Sequence, residues 1–315
     1  MKVIRAIDDL RSVPGPVHLA IGVFDGIHLG HRAVIQEAIA GANASGGSSV
    51  VLTFHPHPVK ILRPEKAPRL LTSTQHKTKL IGRLEVNALL IQDFTPGFSR
   101  TRPEVFVQQL VTSADRLVQI SVGQDWTFGV NRSGTVALLK DLATRFGFTI
   151  SSVQPVTIDG QIVSSTLVRS AVEIGNFSLA ARLLGRPFTI LGTVSEGSHL
   201  GRQLGFPTAN LRAHNEQFPP NGVYAVKAWH DEAEFGGVVN IGVRPTLGHL
   251  AGERLLELHL FDFDRDIYGQ DVEVCFLDYL RPEKKFAGLD ELRSQIASDA
   301  ERARQIYEGA QDSDQ

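Results

Sequence analysis

Apolar residues in the first half of the chain come in short, nearly continuous runs, at 17–24, 49–54, 88–94, 117–122 and 148–153. Runs of this length, bounded by glycine, proline and polar residues, predict buried strands. Between them apolar positions recur every three or four residues, at 33–42, 76–84, 104–111 and 136–146. That spacing predicts amphipathic helices. Strand and helix in alternation predict an α/β fold, a parallel sheet with helices on both faces. Ligands of such sheets bind at the carboxyl ends of the strands.

The pattern changes after two further helical segments, 166–174 and 178–184. Gly185-Arg186-Pro187 punctuates the chain, and strand-like runs then dominate, at 188–194, 223–229, 237–241, 255–263 and 272–280. Short strands at close spacing predict a small β-barrel. A closing helix runs from 289 to about 307, with Leu292, Ile296, Ala300 and Ala303 on one face. These patterns predict two domains, 1–185 and 186–315, and a frayed polar tail from Gly309.

Composition narrows the function. The 315 residues are 42% hydrophobic and 21% charged, as in an ordinary globular protein. Basic and acidic residues number 32 and 34, for a net charge of -2. That balance lacks the footprint of general nucleic-acid or membrane-surface binding, so an anionic ligand must be held by a local site. The single cysteine, Cys275, excludes an internal disulfide and a cysteine-based zinc site, and its apolar run makes it a core residue. The N-terminal residues carry no signal-peptide pattern, and no run approaches the roughly 20 apolar residues that span a bilayer. A cytoplasmic protein is the expectation.

The most informative segment is Gly22-Val-Phe24-Asp25-Gly26-Ile-His28-Leu-Gly30-His31. A buried strand breaks into a glycine-containing turn and delivers two histidines at a helix start. Glycines permit close backbone approach, and the unpaired amides of a helix N-terminus favour an anion. Imidazoles there can donate to phosphate oxygens during phosphoryl or nucleotidyl transfer. Taken alone, the same residues also suit a simple turn with a solvated histidine pair. His55-Pro-His57-Pro follows the next strand, either as a rigid pocket wall in an extended loop or as a proline-stiffened loop with incidental histidines. The four histidines match no zinc spacing. Asp125-Trp126-Thr-Phe128-Gly-Val-Asn131-Arg132 follows another strand end. Its aromatics suit a flat heterocycle and its arginine a phosphate; the alternative is a hairpin-like loop with a core aromatic. Ser164-Ser165-Thr166 opens a helix with Arg169 one turn in, a poor place for a cation unless it meets an anion.

Together these residues resemble the adenylyltransferase module of prokaryotic FAD synthetases, whose nucleotidyltransferase superfamily carries a His-x-Gly-His signature. His28 and His31 match that signature, and Ser164, Ser165, Thr166 and Arg169 match its second phosphate-handling motif. The resemblance implies a Rossmann-like nucleotidyltransferase domain with ATP across these two loops, including Gly22, Phe24, Asp25 and Gly30. It implies catalytic roles for His28 and His31. The phosphate of FMN would attack the α-phosphorus and release pyrophosphate, with His57, Asp125, Phe128, Asn131 and Arg132 on the flavin side.

The second half has its own signature, Gly201-Arg-Gln-Leu-Gly205-Phe-Pro207-Thr208-Ala-Asn210. No P-loop of the kinase type exists, but glycine-rich backbone, a hydroxyl and an amide can still handle a phosphate and a divalent cation. Asn240-Ile-Gly-Val-Arg244-Pro-Thr246 repeats that chemistry. Glu257 interrupts an apolar strand, where a buried carboxylate needs a partner or a task. This half resembles the riboflavin kinase domain over its whole length. The resemblance implies ATP contacts at Gly205, Pro207 and Asn210, Mg²⁺ at Thr208 and Asn210, and Glu257 as the base toward the ribityl 5′-hydroxyl. Arg281 would lie on the flavin side, and Tyr268, Gly269 and Phe286 also match. The chain departs from the pattern at Glu196, where histidine is common, at Pro282, where an acidic residue is common, and mildly around Trp126. The implied partners are riboflavin, FMN, FAD and ATP, with no nucleic acid or membrane, and homo-oligomerisation is left open.

Overall fold

The computed structural model describes residues 1–195, 205–243 and 254–313. They form two compact units, Met1–Arg69 with Thr74–Ser165, and Leu70–Ser73 with Thr166–Gln315. Glu196 and the segment Arg244-Pro-Thr246 lie outside the described residues.

The first unit is built on β1 (Lys2–Ile4), β2 (Pro16–Ile21), β3 (Ser48–His55), β4 (Ala88–Asp93), β5 (Arg116–Gly123) and β6 (Thr149–Val153). They form one parallel sheet in the order β1-β4-β3-β2-β5-β6, as the alternating pattern predicts. Strands covered on both faces need apolar residues at successive positions, which is why they read as runs. Leu19, Leu52, Leu90 and Ile120 pack on one face against Phe106 and Leu110 of α4 (Pro103–Ser113) and Leu139 and Leu142 of α5 (Val136–Phe146). Their neighbours Ala20, Val51 and Leu89 join the opposite core, with Val34, Ile35 and Ala38 of α1 (Leu29–Ser45) and Leu80 and Ile81 of α3 (Thr74–Gly82). The strand order reverses between β2 and β5, so the loops that leave their carboxyl ends diverge and open a crevice.

Three local features differ from the sequence reading. Helix α1 starts four residues earlier than its apolar stripe, because the His28 side chain caps it. Pro58 ends the expected extended loop by opening a short helix, α2 (Pro58–Leu62), at a position where its missing N–H costs nothing. A two-stranded hairpin, β7 (Thr157–Ile158) and β8 (Gln161–Ile162), precedes the next helix.

Helices α6 (Ser165–Glu173) and α7 (Phe177–Leu184) lead into the second unit. Its strands are β9 (Thr189–Ser195), β10 (Ala209–Ala213), β11 (Gly222–His230), β12 (Ala233–Val243), β13 (Arg254–Leu260) and β14 (Asp271–Arg281). They close into an antiparallel barrel in the order β10-β13-β12-β11-β14-β9. Phe177 of α7 stacks on Phe276 of β14 with ring centroids 5.1 Å apart, so this helix packs with the barrel unit. The terminal helix α8 (Leu289–Ser313) lays Ala300, Ala303 and Ile306 against Val223, Ala225 and Leu280. Cys275 is buried, and burial pushes its thiol up to about 12, which removes it as a nucleophile.

Candidate functional site

In the first unit the chain leaves β2 through Gly22 and turns sharply. Phe24 and Ile27 both take left-handed backbone conformations, at φ 52° and 47°. Such geometry in bulky side chains is costly and is retained where the surroundings enforce it. The Phe24 ring folds back over Gly22, where a Cβ atom would lie 2.8 Å from it, so only glycine fits. His28 Nδ1 accepts the His31 N–H at 3.3 Å and so caps α1. The two imidazoles stack with centroids 3.5 Å apart and planes 18° apart, and Phe24 meets His31 edge-on at 5.3 Å. The first turn of α1 carries no acidic side chain to compete for an anion.

His28 and Asp25 are buried at 6% and 3% exposure, while His31 keeps some contact with solvent although its Nδ1 is buried without a hydrogen-bond partner. Burial, then the nearby His28 and Lys77, hold His31 well below the usual histidine value. His31 is therefore neutral at pH 7, a hydrogen-bond donor through one ring nitrogen. Ser165 Oγ donates to the Asp25 carbonyl at 2.9 Å, which ties the start of α6 to this turn. Thr166 and Arg169 belong to the second unit, with Arg169 Nη2 3.5 Å from Thr166 Oγ1.

The other loops at this sheet edge are fixed by their own hydrogen bonds. His57 Nδ1 accepts the Val59 N–H at 3.2 Å and caps α2, and His55 Nδ1 lies 2.7 Å from Thr74 Oγ1. After β5, Trp126 stacks on Phe128 at 4.5 Å, and Phe128 continues through Phe106 into the core. Phe128 is only 7% exposed and belongs to the core, which differs from the flavin-side place the resemblance implies for it, and Trp126 is the partly exposed aromatic of the loop. Asp125, Asn131 and Arg132 are exposed on this loop, with Arg132 Nε donating to Thr127 Oγ1 at 2.9 Å. Asn131 and Arg132 are also left-handed, at φ 54° and 57°. The loops after β2 and β5 are the pair that diverge at the reversal in strand order.

In the barrel, Glu257 of β13 faces Asn210 of β10 on one side and Asn240 of β12 on the other. Residues directly opposite share a face, so the three form a row across three strands. Leu256 and Leu258 point to the other face and are buried. Asn240 Nδ2 lies 3.5 Å from Glu257 Oε2, and its Oδ1 is buried without a partner. A pocket of about 180 Å³ brings Thr208, Asn240, Glu257, His259 and Arg281 together under Leu292, Ile296 and Ala300 of α8. Gly205 takes φ 86° four residues before β10, and His259 Nδ1 donates to the Pro207 carbonyl at 2.8 Å, fixing the approach to that strand. Arg281 makes a forked pair with Asp299, its Nη2 2.7 Å from Oδ2 and its Nε 2.9 Å from the same oxygen. Its guanidinium also lies 5.7 Å from the Phe286 ring centroid.

Comparison with known proteins decides the family. The FAD synthetase family model matches residues 11–167 and the riboflavin kinase model matches 184–307. The bifunctional riboflavin kinase/FMN adenylyltransferase of Haemophilus influenzae is 37% identical over 98% of this chain and 99% of its own. The enzyme of the same name from Escherichia coli K12 is 38% identical over 98% of both chains. The chain belongs to the bifunctional riboflavin kinase/FMN adenylyltransferase family. A solved structure from Streptococcus pneumoniae described as a macrolide-efflux protein superimposes with a TM-score of 0.79 at 28% identity, over 96% of this chain and 99% of that one. Among the described residues no helix is long and apolar enough to cross a membrane.

Two groups of residues at these family sites escaped the sequence reading. Lys77 lies on α3 at 7% exposure, with Nζ donating to the Val23 carbonyl at 2.6 Å and 3.3 Å from Thr53 Oγ1. Burial brings its ammonium down to about 8, with Asp25 opposing. A lysine in an amphipathic helix reads as solvent-facing, and nothing local separates this one from the rest. His259 and Asp299 were hidden for a related reason: each acts through a partner distant in sequence.

Proposed function

We infer that this chain phosphorylates riboflavin to FMN on its barrel unit and adenylylates FMN to FAD on its sheet unit, each with ATP. Residues 1–185 would carry the second reaction and 186–315 the first. The observation that carries the reading is full-length similarity to bifunctional enzymes in a chain whose two units each assemble their own polar site. In the barrel, the ribityl 5′-hydroxyl attacks the γ-phosphorus of ATP, Glu257 takes its proton, and ADP leaves. Asn240 restrains the carboxylate, and the apolar wall from α8 suits an isoalloxazine ring.

Thr208 and Asn210 fit Mg²⁺, because a hydroxyl and an amide carbonyl are the hard oxygen donors that ion accepts in small number. When bound with ATP it would offset phosphate charge. On the sheet unit, a phosphate oxygen of FMN attacks the α-phosphorus and the bond to pyrophosphate breaks. This chemistry needs alignment and charge neutralisation rather than a covalent intermediate. The α1 N-terminus, His28 and neutral His31 supply donors for that charge. Gly22, Phe24, Asp25, Gly30, Ser164 and Ser165 would shape the nucleotide side. His57, Asp125, Trp126, Asn131 and Arg132 would face the flavin. ATP as co-substrate and a lone buried thiol fit a cytoplasmic location.

Separate variants test the two sites. Glu257→Gln should lower FMN formation by about 100-fold or more while supplied FMN is still converted to FAD. His28→Ala should do the reverse, losing roughly 100-fold in FAD formation with phosphorylation unchanged. Parallel loss of both activities in either variant would contradict separate sites.

A further inference from the structure

We propose that Lys77 is a positioning residue for adenylyl transfer, a buried ammonium that clamps the strained turn after β2 and sets its charge beside His31. The proposal rests on the adenylyltransferase reading of the sheet unit. The contacts form a continuous path. Lys77 Nζ and Thr53 Oγ1 both donate to the Val23 carbonyl, at 2.6 and 2.9 Å. That carbonyl precedes Phe24, whose left-handed backbone turns its ring over Gly22 and edge-on to His31. Fixing the Val23 peptide therefore fixes Phe24, and Phe24 with stacked His28 fixes the His31 ring.

Stability alone gives no reason for an ammonium here. Burying a lysine is costly, and an apolar side chain of similar length would fill the same space. The Val23 carbonyl would still be satisfied by Thr53. The charge has consequences only for its neighbours. Asp25 attracts the ammonium, and the ammonium, together with His28, opposes protonation of His31. It thereby keeps a donor, rather than a second cation with a buried and unpaired N–H, at the start of α1.

The test is Lys77→Met in the full chain. It should lower kcat for FAD formation from supplied FMN by about tenfold or more while KM for FMN changes by less than about threefold. Riboflavin phosphorylation by the same preparation should be unchanged, and the thermal midpoint should be equal or higher. The His31 ring, followed by NMR, should titrate at higher pH than in the unsubstituted chain. Thr53→Val, which keeps the ammonium and removes the second donor, should lose a few-fold in the same kcat. Unaltered FAD formation in Lys77→Met would overturn the proposal. So would activity lost in step with a lowered midpoint, or an unmoved His31 titration. If the unsubstituted chain makes no FAD, the adenylyltransferase reading itself fails instead.

Discussion

The stacked pair of His28 and His31 couples the folding of the sheet unit to pH. His31 is held below its ordinary value of 6.5, so below that pH the unfolded chain binds a proton that the folded one refuses. The contribution is fully present above about 6.5 and is lost as pH falls. Urea unfolding at pH 7.5 and 5.5 should therefore show a larger drop for the natural chain than for His31→Gln. Lys77 acts in the same direction over a higher window. Its ammonium, brought from 10.5 to about 8, costs roughly 3 kcal/mol that is fully in place below pH 8 and relieved as pH rises toward 10.5. The stability advantage expected for Lys77→Met should accordingly shrink between pH 8 and 10. Equal advantages at pH 7 and 10 would show that the lysine is not charged where it lies.

At the scale of elements, the barrel pocket depends on how α8 is held. The forked pair between Arg281 of β14 and Asp299 of α8 is mostly buried, with Gln295 also donating to Asp299 at 2.9 Å. Removing one partner strands the other, a loss of about 3 kcal/mol at this partial burial. Asp299→Ala should thus lower barrel stability by that order and raise KM for riboflavin, while FAD formation from FMN stays unchanged. Calorimetry and the two separate assays would measure this, and an unaltered KM would mean that α8 forms no wall of the flavin site. Gly237→Ala should also weaken the barrel, because its Cβ would lie 2.5 Å from the His259 carbonyl of the neighbouring strand.

These elements also show why sequence was readable in some places and mute in others. The parallel strands were legible because burial on both faces demands continuous apolar runs, and Glu257 stood out as a charge among the leucines of β13 in the barrel. β1, with three residues, and β10, with five, carry too little pattern, and only pairing with β4 and with β9 and β13 makes them strands. The turn after β2 was legible as a candidate site because glycines and histidines at a helix start have few structural uses. Lys77, His259 and Asp299 were not, since their significance lies in partners far along the chain. Phe128 shows the limit of composition: an aromatic beside a candidate loop can serve the core that supports it.

At the scale of the molecule, the chain carries two polar sites on two compact units, each with its own core. The division does not follow sequence alone. Leu70–Ser73 belongs with the barrel, where Leu70 N–H donates to Glu216 Oε2 at 3.1 Å. On this account one chain performs consecutive steps, and the product of the barrel site is the substrate of the sheet site. The direct measurement is a time course of flavins separated by chromatography after the purified chain is mixed with riboflavin, ATP and Mg²⁺. FMN should appear first, and FAD should follow after a lag at the expense of FMN. FMN accumulating with no FAD, or no conversion of riboflavin at all, would contradict the two-step account.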